Sequence, residues 1–295
     1  MVPHLPPGAT LHSLATFLHR SCGSKNTDQS CRRFYGASSN QLWPGNPEGQ
    51  GAQCLAEQFF GGTPSGVELI RHHTLLGLYG PAMSEGWWGN RFLASIADGV
   101  SAHKFAMGHR FDKPLSWCPV CCQEDFNRFG WAPWRVVHQV PFAHHCPYHG
   151  TILLTGCSAC HEPLDLGFHW RLPGDACRKC NGRSFQPSFP VDQSPGYQRL
   201  LRVLAALNGT MMSGKAVATI KESSWTEVRS SLSVHLQRSY DQLSTSWVLL
   251  RPERTIPLRL GAREKPEFLQ TALRWPELAS PLAVLLLASL QQEFT

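Results

Sequence analysis

Eight cysteines and histidines between positions 118 and 180 stand in paired zinc-ligand spacing, and they sort into two sets of four. The first is Cys118-Pro-Val-Cys121 followed by Cys146-Pro-Tyr-His149; the second is Cys157-Ser-Ala-Cys160 followed by Cys177-Arg-Lys-Cys180. Zinc takes four N or S ligands in a tetrahedron, and each C-x2-C or C-x2-H turn offers two from one tight bend. A catalytic zinc keeps one position open for water, and four-ligand sets leave none. Two structural Zn2+ ions are therefore the expected cofactors.

Cys146-Pro-Tyr-His149 repeats the spacing of Cys118-Pro-Val-Cys121, so His149 is expected to complete the first set ahead of its rivals His144 and His145. The two quartets use seven of the eleven cysteines. Cys22, Cys31, Cys54 and Cys122 remain, with buried thiol the default for each and Cys122 a decoy beside a ligand. Disulfides are the competing use. The opening Met1-Val-Pro-His-Leu-Pro-Pro lacks the basic head and apolar core of a secretion signal, so a cytoplasmic location is expected. Paired thiols in that compartment bind metal more often than they oxidise. A redox C-x2-C would open a helix within a βαβ unit, and the sequence suggests neither setting.

The remaining composition sets limits. The longest apolar run, Leu282 to Leu290, is too short for a bilayer, which needs about 20 residues, so no membrane partner is expected. The formal charge is +6, counting the cysteines as neutral. Seven thiolates and two dications would lower it to about +3, too little for nucleic-acid binding driven by bulk charge.

The elements that must position the ligands read as mainly α, in three parts: a helical region over 1–116, a tandem zinc region over 117–190 and a C-terminal helical region over 191–295. In the first, Thr10 can cap a helix carrying the stripe Leu11, Leu14, Ala15 and Leu18. After a break at 23–26, Thr27 can cap a second helix, Asp28 to Tyr35, with Arg32 and Arg33, closed by Gly36. Two short helices with two arginines outline a helix-turn-helix, but spacing alone favours an ordinary helical hairpin with a solvated basic face. Further helices are expected over Ala52–Phe60, Val67–Leu78 and Arg91–Ala97.

In the zinc region, Trp131, Trp134 and Arg135 could stack on bases or anchor a partner, yet core filling is the commoner use in a small zinc domain. Glu124-Asp125 reads as a solvated turn. Beyond a linker at 186–195, Tyr197, Leu200, Leu201 and Leu204 mark one helix, Trp225 to Arg238 a second and Leu282–Leu290 a third. Arg251, Arg254, Arg259 and Arg263 bunch together there as the best candidate phosphate patch, with a solvated loop the favoured reading.

Nothing in the chain spells out catalysis. There is no phosphate loop and no G-x-S-x-G elbow, and Glu68 with His72-His73 does not make an H-E-x-x-H pair. The expectation is a binding module, not an enzyme.

In order, these residues resemble the TniQ/TnsD proteins of bacterial transposons. The resemblance is carried by Pro7-Gly8-Ala9-Thr10-Leu11-His12-Ser13 and by His73-Thr-Leu-Leu-Gly-Leu-Tyr79. It continues in the block Cys118 and Cys121, Asp125, Trp134-Arg135, His138-Gln139, Pro141, Cys146-Pro-Tyr-His149-Gly150, Leu153 and Cys157-Ser-Ala-Cys160. It covers most of 5–185 and departs at Val136-Val137, where a further basic residue is common; 191–295 carries no match.

The resemblance implies a non-catalytic target-site selector for transposition that recruits an AAA+ ATPase regulator, which in turn engages the transposase. Some members read DNA through helix-turn-helix and zinc modules; others are adaptors riding on a CRISPR effector, whose guide RNA supplies the sequence readout. It also raises the helix-turn-helix reading of the first two helices and moves Trp131, Trp134 and Arg135 toward a partner surface. The short C-terminal part and modest charge lean toward the adaptor. The alternatives are a direct, sequence-specific DNA-binding selector and a stand-alone zinc transcription factor. Expected partners are the ATPase regulator, a CRISPR effector complex, target DNA and a second copy of the chain.

Overall fold

A computed structural model describes residues 5–23, 26–35, 49–79, 115–140, 143–164, 170–187 and 195–213. Thr10 starts the first helix, α1 (Leu11–Ser21), as its chemistry suggests: in extended backbone its hydroxyl accepts the Ser13 N–H at 3.1 Å. Leu11, Leu14, Ala15 and Leu18 are buried, and so are His12, Ser13 and Thr16. The helix is thus covered on more than its apolar stripe, because the zinc region packs on its other side.

The second helix, α2 (Thr27–Tyr35), is capped one residue earlier than expected. Asn26 Oδ1 accepts the Gln29 N–H at 3.1 Å, so Asn26 takes the place assigned to Thr27; asparagine is the stronger cap of the two. Ser30 and Phe34 face inward, Phe34 edge-on to Phe59, while Gln29, Arg32 and Arg33 face out.

The helix α3 (Gly49–Phe60) packs on α2 and on α4 (Gly66–His73). Ser65 and Glu68 form a reciprocal capping box at the start of α4, which commits Glu68 to structure. The single helix expected over Val67–Leu78 is in fact two, α4 and α5 (Leu75–Tyr79). Thr74 divides them: its hydroxyl donates to the Ile70 carbonyl at 2.6 Å and accepts the Gly77 N–H at 3.3 Å. At the bend a Cβ on Gly77 would lie 1.7 Å from the Arg71 carbonyl oxygen, so only glycine fits.

The zinc region contains α6 (Pro119–Phe129), a 3-10 turn (Val136–Gln139) and the two-residue antiparallel strands β1 (Gly156–Cys157) and β2 (Phe185–Gln186). Trp117, Leu115 and Trp134 form its apolar centre, with Leu154, Leu164 and Phe185 against them. Glu124-Asp125 is not a solvated turn. Both residues lie on α6, and Asp125 is buried because its charge is matched by Arg135. Beyond the linker, α7 (Pro195–Ser213) buries Leu201 and Leu204 and packs on α4, α5 and the 3-10 turn.

The helices expected at Arg91–Ala97, Trp225–Arg238 and Leu282–Leu290 lie outside the described residues, as do Gly36, Pro141 and the cluster Arg251, Arg254, Arg259 and Arg263. Among the described residues, no helix is long and apolar enough to cross a membrane.

Candidate metal centres and the segment docked on them

Three of the four ligand pairs share one local fold. Cys146, Cys157 and Cys177 each accept, through the backbone carbonyl, the N–H four residues on, at 2.9–3.0 Å. Each also donates its own N–H to the carbonyl five residues on. The residue after the second ligand must then take a left-handed conformation: Gly150, His161 and Asn181 have φ of 64°, 57° and 58°. Glycine does so without cost, and asparagine and histidine are among the side chains that tolerate it best.

The fourth pair, Cys118 and Cys121, opens a helix instead. Cys118 is the N-cap of α6, Pro119 occupies the first turn, and Cys118 Sγ accepts the Cys121 N–H. The redox setting raised for a C-x2-C is thus half present. The other half, a βαβ unit, is missing among the described residues, whose sheet is one antiparallel pair.

The structure brings the ligand atoms together in two groups: Cys118, Cys121, Cys146 and His149, and Cys157, Cys160, Cys177 and Cys180. Within each, all ligand atoms lie within 4.8 Å of one another. His149 presents Nδ1, which lies 3.6, 3.3 and 3.5 Å from the sulfurs of Cys118, Cys121 and Cys146. The sulfurs of Cys121 and Cys146 are 3.6 Å apart; Cys157 to Cys180 and Cys160 to Cys177 are each 3.5 Å. All these thiols are free. A tetrahedron with Zn–S and Zn–N bonds of about 2.3 and 2.05 Å has edges of about 3.8 Å between sulfurs and about 3.6 Å from sulfur to nitrogen. Donor set and spacing are consistent with two zinc sites.

The thiols are poised to shed protons unequally. Contacts from Cys121 and Cys146 hold Cys118 well below the ordinary thiol range, and the same crowding with burial pushes Cys121 up. Burial works against ionisation of Cys177, but the N–H groups of Cys180 and Lys179 outweigh it and bring the thiol down to about 6. Cys122 points away from the first group toward the Pro173 carbonyl, and burial raises it to about 11, as suits an inert thiol. His144 and His145 are buried but do not belong to the first group's four ligand atoms.

The two centres are held differently. Around the first, Thr151 Oγ1 is 3.0 Å from Cys118 Sγ, and Glu124 Oε1 is 3.2 Å from the far nitrogen of His149. Around the second, Glu162 gathers Arg178 and Lys179 at the surface.

The loop between the two halves of the first centre is where the helical layer attaches. Residues 8–10 run antiparallel to 134–136, bridging Ala9 and Arg135, with Thr10 N–H donating to Trp134 O and Val136 N–H to Gly8 O, both at 2.8 Å. Ser13 Oγ accepts the Trp134 N–H at 2.7 Å and donates to the Trp134 carbonyl at 3.3 Å. The buried His73 completes the clasp by donating from Nδ1 to the Ala9 carbonyl at 2.7 Å. Farther along α1, Phe17 stacks on Trp131 and Arg20 pairs with Asp175.

Trp131, Trp134 and Arg135 are therefore spent within the chain. Trp134 is 2% exposed and donates its ring N–H to the Arg171 carbonyl. The Arg135 guanidinium makes a two-pronged pair with Asp125 at 2.7 and 2.8 Å, and that carboxylate overcomes burial to keep the arginine charged. Arg32 and Arg33 are exposed on α2, where Arg32 pairs with Asp28. Gly150 and Asn181, directly after ligand pairs, carried the signal of the knuckle turns that the ligand spacing alone did not use.

Fold and site together define a helix-rich protein with two Cys/His clusters, the first clasped by an N-terminal segment. The TniQ family model matches residues 1–153, more than half the chain, so this chain belongs to the TniQ family. Membership implies a part in selecting targets for transposition. Comparison with curated proteins gives no match.

Proposed function

We propose that the protein is a non-catalytic target-site adaptor for transposition, which recruits an AAA+ regulator to an insertion site supplied by a guide-RNA-bearing CRISPR effector. The observation that carries the reading is the family match over 1–153, which spans the helical layer and the whole first Cys/His group. In this reading the two groups hold structural Zn2+ through Cys118, Cys121, Cys146 and His149 and through Cys157, Cys160, Cys177 and Cys180. The helices α1 and α2 act as a helix-turn-helix-like pair, and the protein works in the bacterial cytoplasm.

The adaptor branch is supported by where the positive charge goes. Arg20, Arg32, Arg135, Arg178 and Lys179 all pair with carboxylates of this chain. Such cations neutralise few phosphates, so intrinsic DNA affinity is weak, falls steeply with salt and carries little base readout. Arg33, the outer face of Arg32 and the cluster Arg251 to Arg263 supply that affinity. Binding of the isolated protein to a cognate and a scrambled duplex at physiological salt tests this. A preference under about a hundredfold is expected; one above it, toward the ~10³ at the low end for specific readers, overturns the adaptor in favour of direct recognition. Copurification is expected to yield effector subunits with guide RNA, or the ATPase. Recovery of DNA alone points to a transcription factor.

A further inference from the structure

His149 offers two ring nitrogens, and its surroundings distinguish them. Nδ1 faces the three sulfurs of the first group at 3.3–3.6 Å. Nε2 lies 3.2 Å from Glu124 Oε1. A neutral imidazole carries one N–H and one lone pair, so whichever nitrogen donates to a neighbour leaves the other to bind metal. A carboxylate can only accept. The Glu124 contact therefore places the proton on Nε2 and frees the Nδ1 lone pair toward the sulfurs.

We propose that Glu124 is a positioning residue for the first centre, fixing the tautomer and ring orientation of His149 so that Nδ1 is the ligand atom. This rests on reading that group as a zinc site. The geometry favours it because Glu124 shares a rigid helix with two of the ligands. Cys118 caps α6, and Cys121 and Glu124 follow three and six residues later, so neighbouring turns of one helix hold two thiols and the carboxylate. The chain segment Cys146 to His149 then meets one element that supplies sulfur on one side of the ring and oxygen on the other. The Glu124 side chain is 56% exposed, so the contact adds little to folding. Its effect falls on the metal, through a better-oriented and more basic imidazole. Among the described residues, no carboxylate stands in a like relation to the second group, whose ligands are all sulfur.

The test uses the full-length chain loaded with Zn2+ and titrated with a competing chelator, alongside cobalt-substituted protein. In the cobalt form the mixed sulfur–imidazole centre and the all-sulfur centre absorb differently and so report separately. Glu124→Gln keeps the length and loses the charge; it is expected to weaken the first centre by about tenfold, and Glu124→Ala by up to about a hundredfold. The second centre is expected to be unchanged in both. Long-range proton–nitrogen correlation on the wild-type zinc form is expected to show His149 protonated at Nε2. Unaltered affinity in both variants, equal weakening at both centres, or a proton on Nδ1 overturns the proposal. A wild-type chain that takes up no metal at Cys118, Cys121 and Cys146 overturns the zinc reading itself. Normal loading with unaltered variants overturns only the role of Glu124.

Discussion

The first Cys/His group is built more deeply into its surroundings than the second. Cys118, Cys121 and Cys146 are buried, the first two at the start of one helix, and the loop between the two halves of the site carries the clasp with residues 8–13. Cys160 is half-buried and Cys180 exposed, and that group joins two knuckles and one antiparallel pair of two-residue strands. The family match respects the same division, ending at residue 153, before Cys157. Ligand sets of similar chemistry can thus serve different ends. One lies under a backbone clasp with the N-terminal segment; the other finishes a small fold that meets the rest through side chains, Phe185 on Trp117 and Asp175 with Arg20.

The largest effect is expected from removing a ligand. Structural zinc binds with roughly 10–16 kcal/mol, as much as the whole stability of a domain. Cys121→Ser should empty the first centre and expose backbone amides in α1 as well as in α6. Cys160→Ser should empty the second and melt 155–187 while α1 keeps its protection. Hydrogen exchange with metal analysis of each variant checks this. Loss of α1 protection in the Cys160 variant alone would reverse the comparison.

Next in size is the ion pair beside each group. Asp125 and Arg135 are largely buried, so Asp125→Ala strands a buried cation and should cost about 3–5 kcal/mol in denaturant unfolding. Glu162→Ala, at the exposed cluster with Arg178 and Lys179, should leave the unfolding midpoint unmoved. Equal effects would mean the two regions are equally embedded.

That pair also shows what the sequence could and could not reveal. Ligand spacing and the α1 stripe are local patterns, and both quartets assemble as spacing grouped them. Asp125 and Arg135 stand ten residues apart across a loop, a separation no periodicity marks, so an acidic pair on α6 looked solvated. The division at Thr74 brings Gly77 against the Arg71 carbonyl, a close backbone approach that the helical periodicity running from Val67 to Leu78 does not mark. The resemblance motifs at Pro7–Ser13 and Trp134–Arg135 looked like two separate signals. In the fold they are two sides of one clasp.

A smaller effect belongs to the clasp alone and depends on pH. Burial holds His73 down at about 4, against an ordinary value of about 6.5. The unfolded chain takes up a proton near pH 6.5 that the folded chain refuses until near 4. Stability is therefore full above about 6.5 and is lost as pH falls through that window, by about 3 kcal/mol if the shift is fully expressed. His73→Asn keeps a donor near Ala9 O and removes the titration, so its unfolding free energy should fall less between pH 7 and 4. Acid loss of metal is common to both proteins and cancels in the difference. Parallel curves would show that His73 titrates normally.

The smallest change reaches the first centre without touching a ligand. Gly8 has a φ of 72°, which directs its carbonyl to the Val136 N–H. A Cβ there would meet Met212 and Asn208 at ordinary contact distances, the nearest at 3.6 Å, so space does not exclude alanine. Conformation does, at about 1–2 kcal/mol for an L-residue held left-handed. Gly8→Ala should lower stability by that amount. If metal binding and clasp formation support each other, the same free energy must appear in zinc affinity, because coupling between two events is reciprocal. The first centre should then weaken by no more than about five- to thirtyfold, since each 1.4 kcal/mol is tenfold, and the second should not change. A loss of stability with both affinities intact would show that the clasp and the first centre share a loop but not an equilibrium.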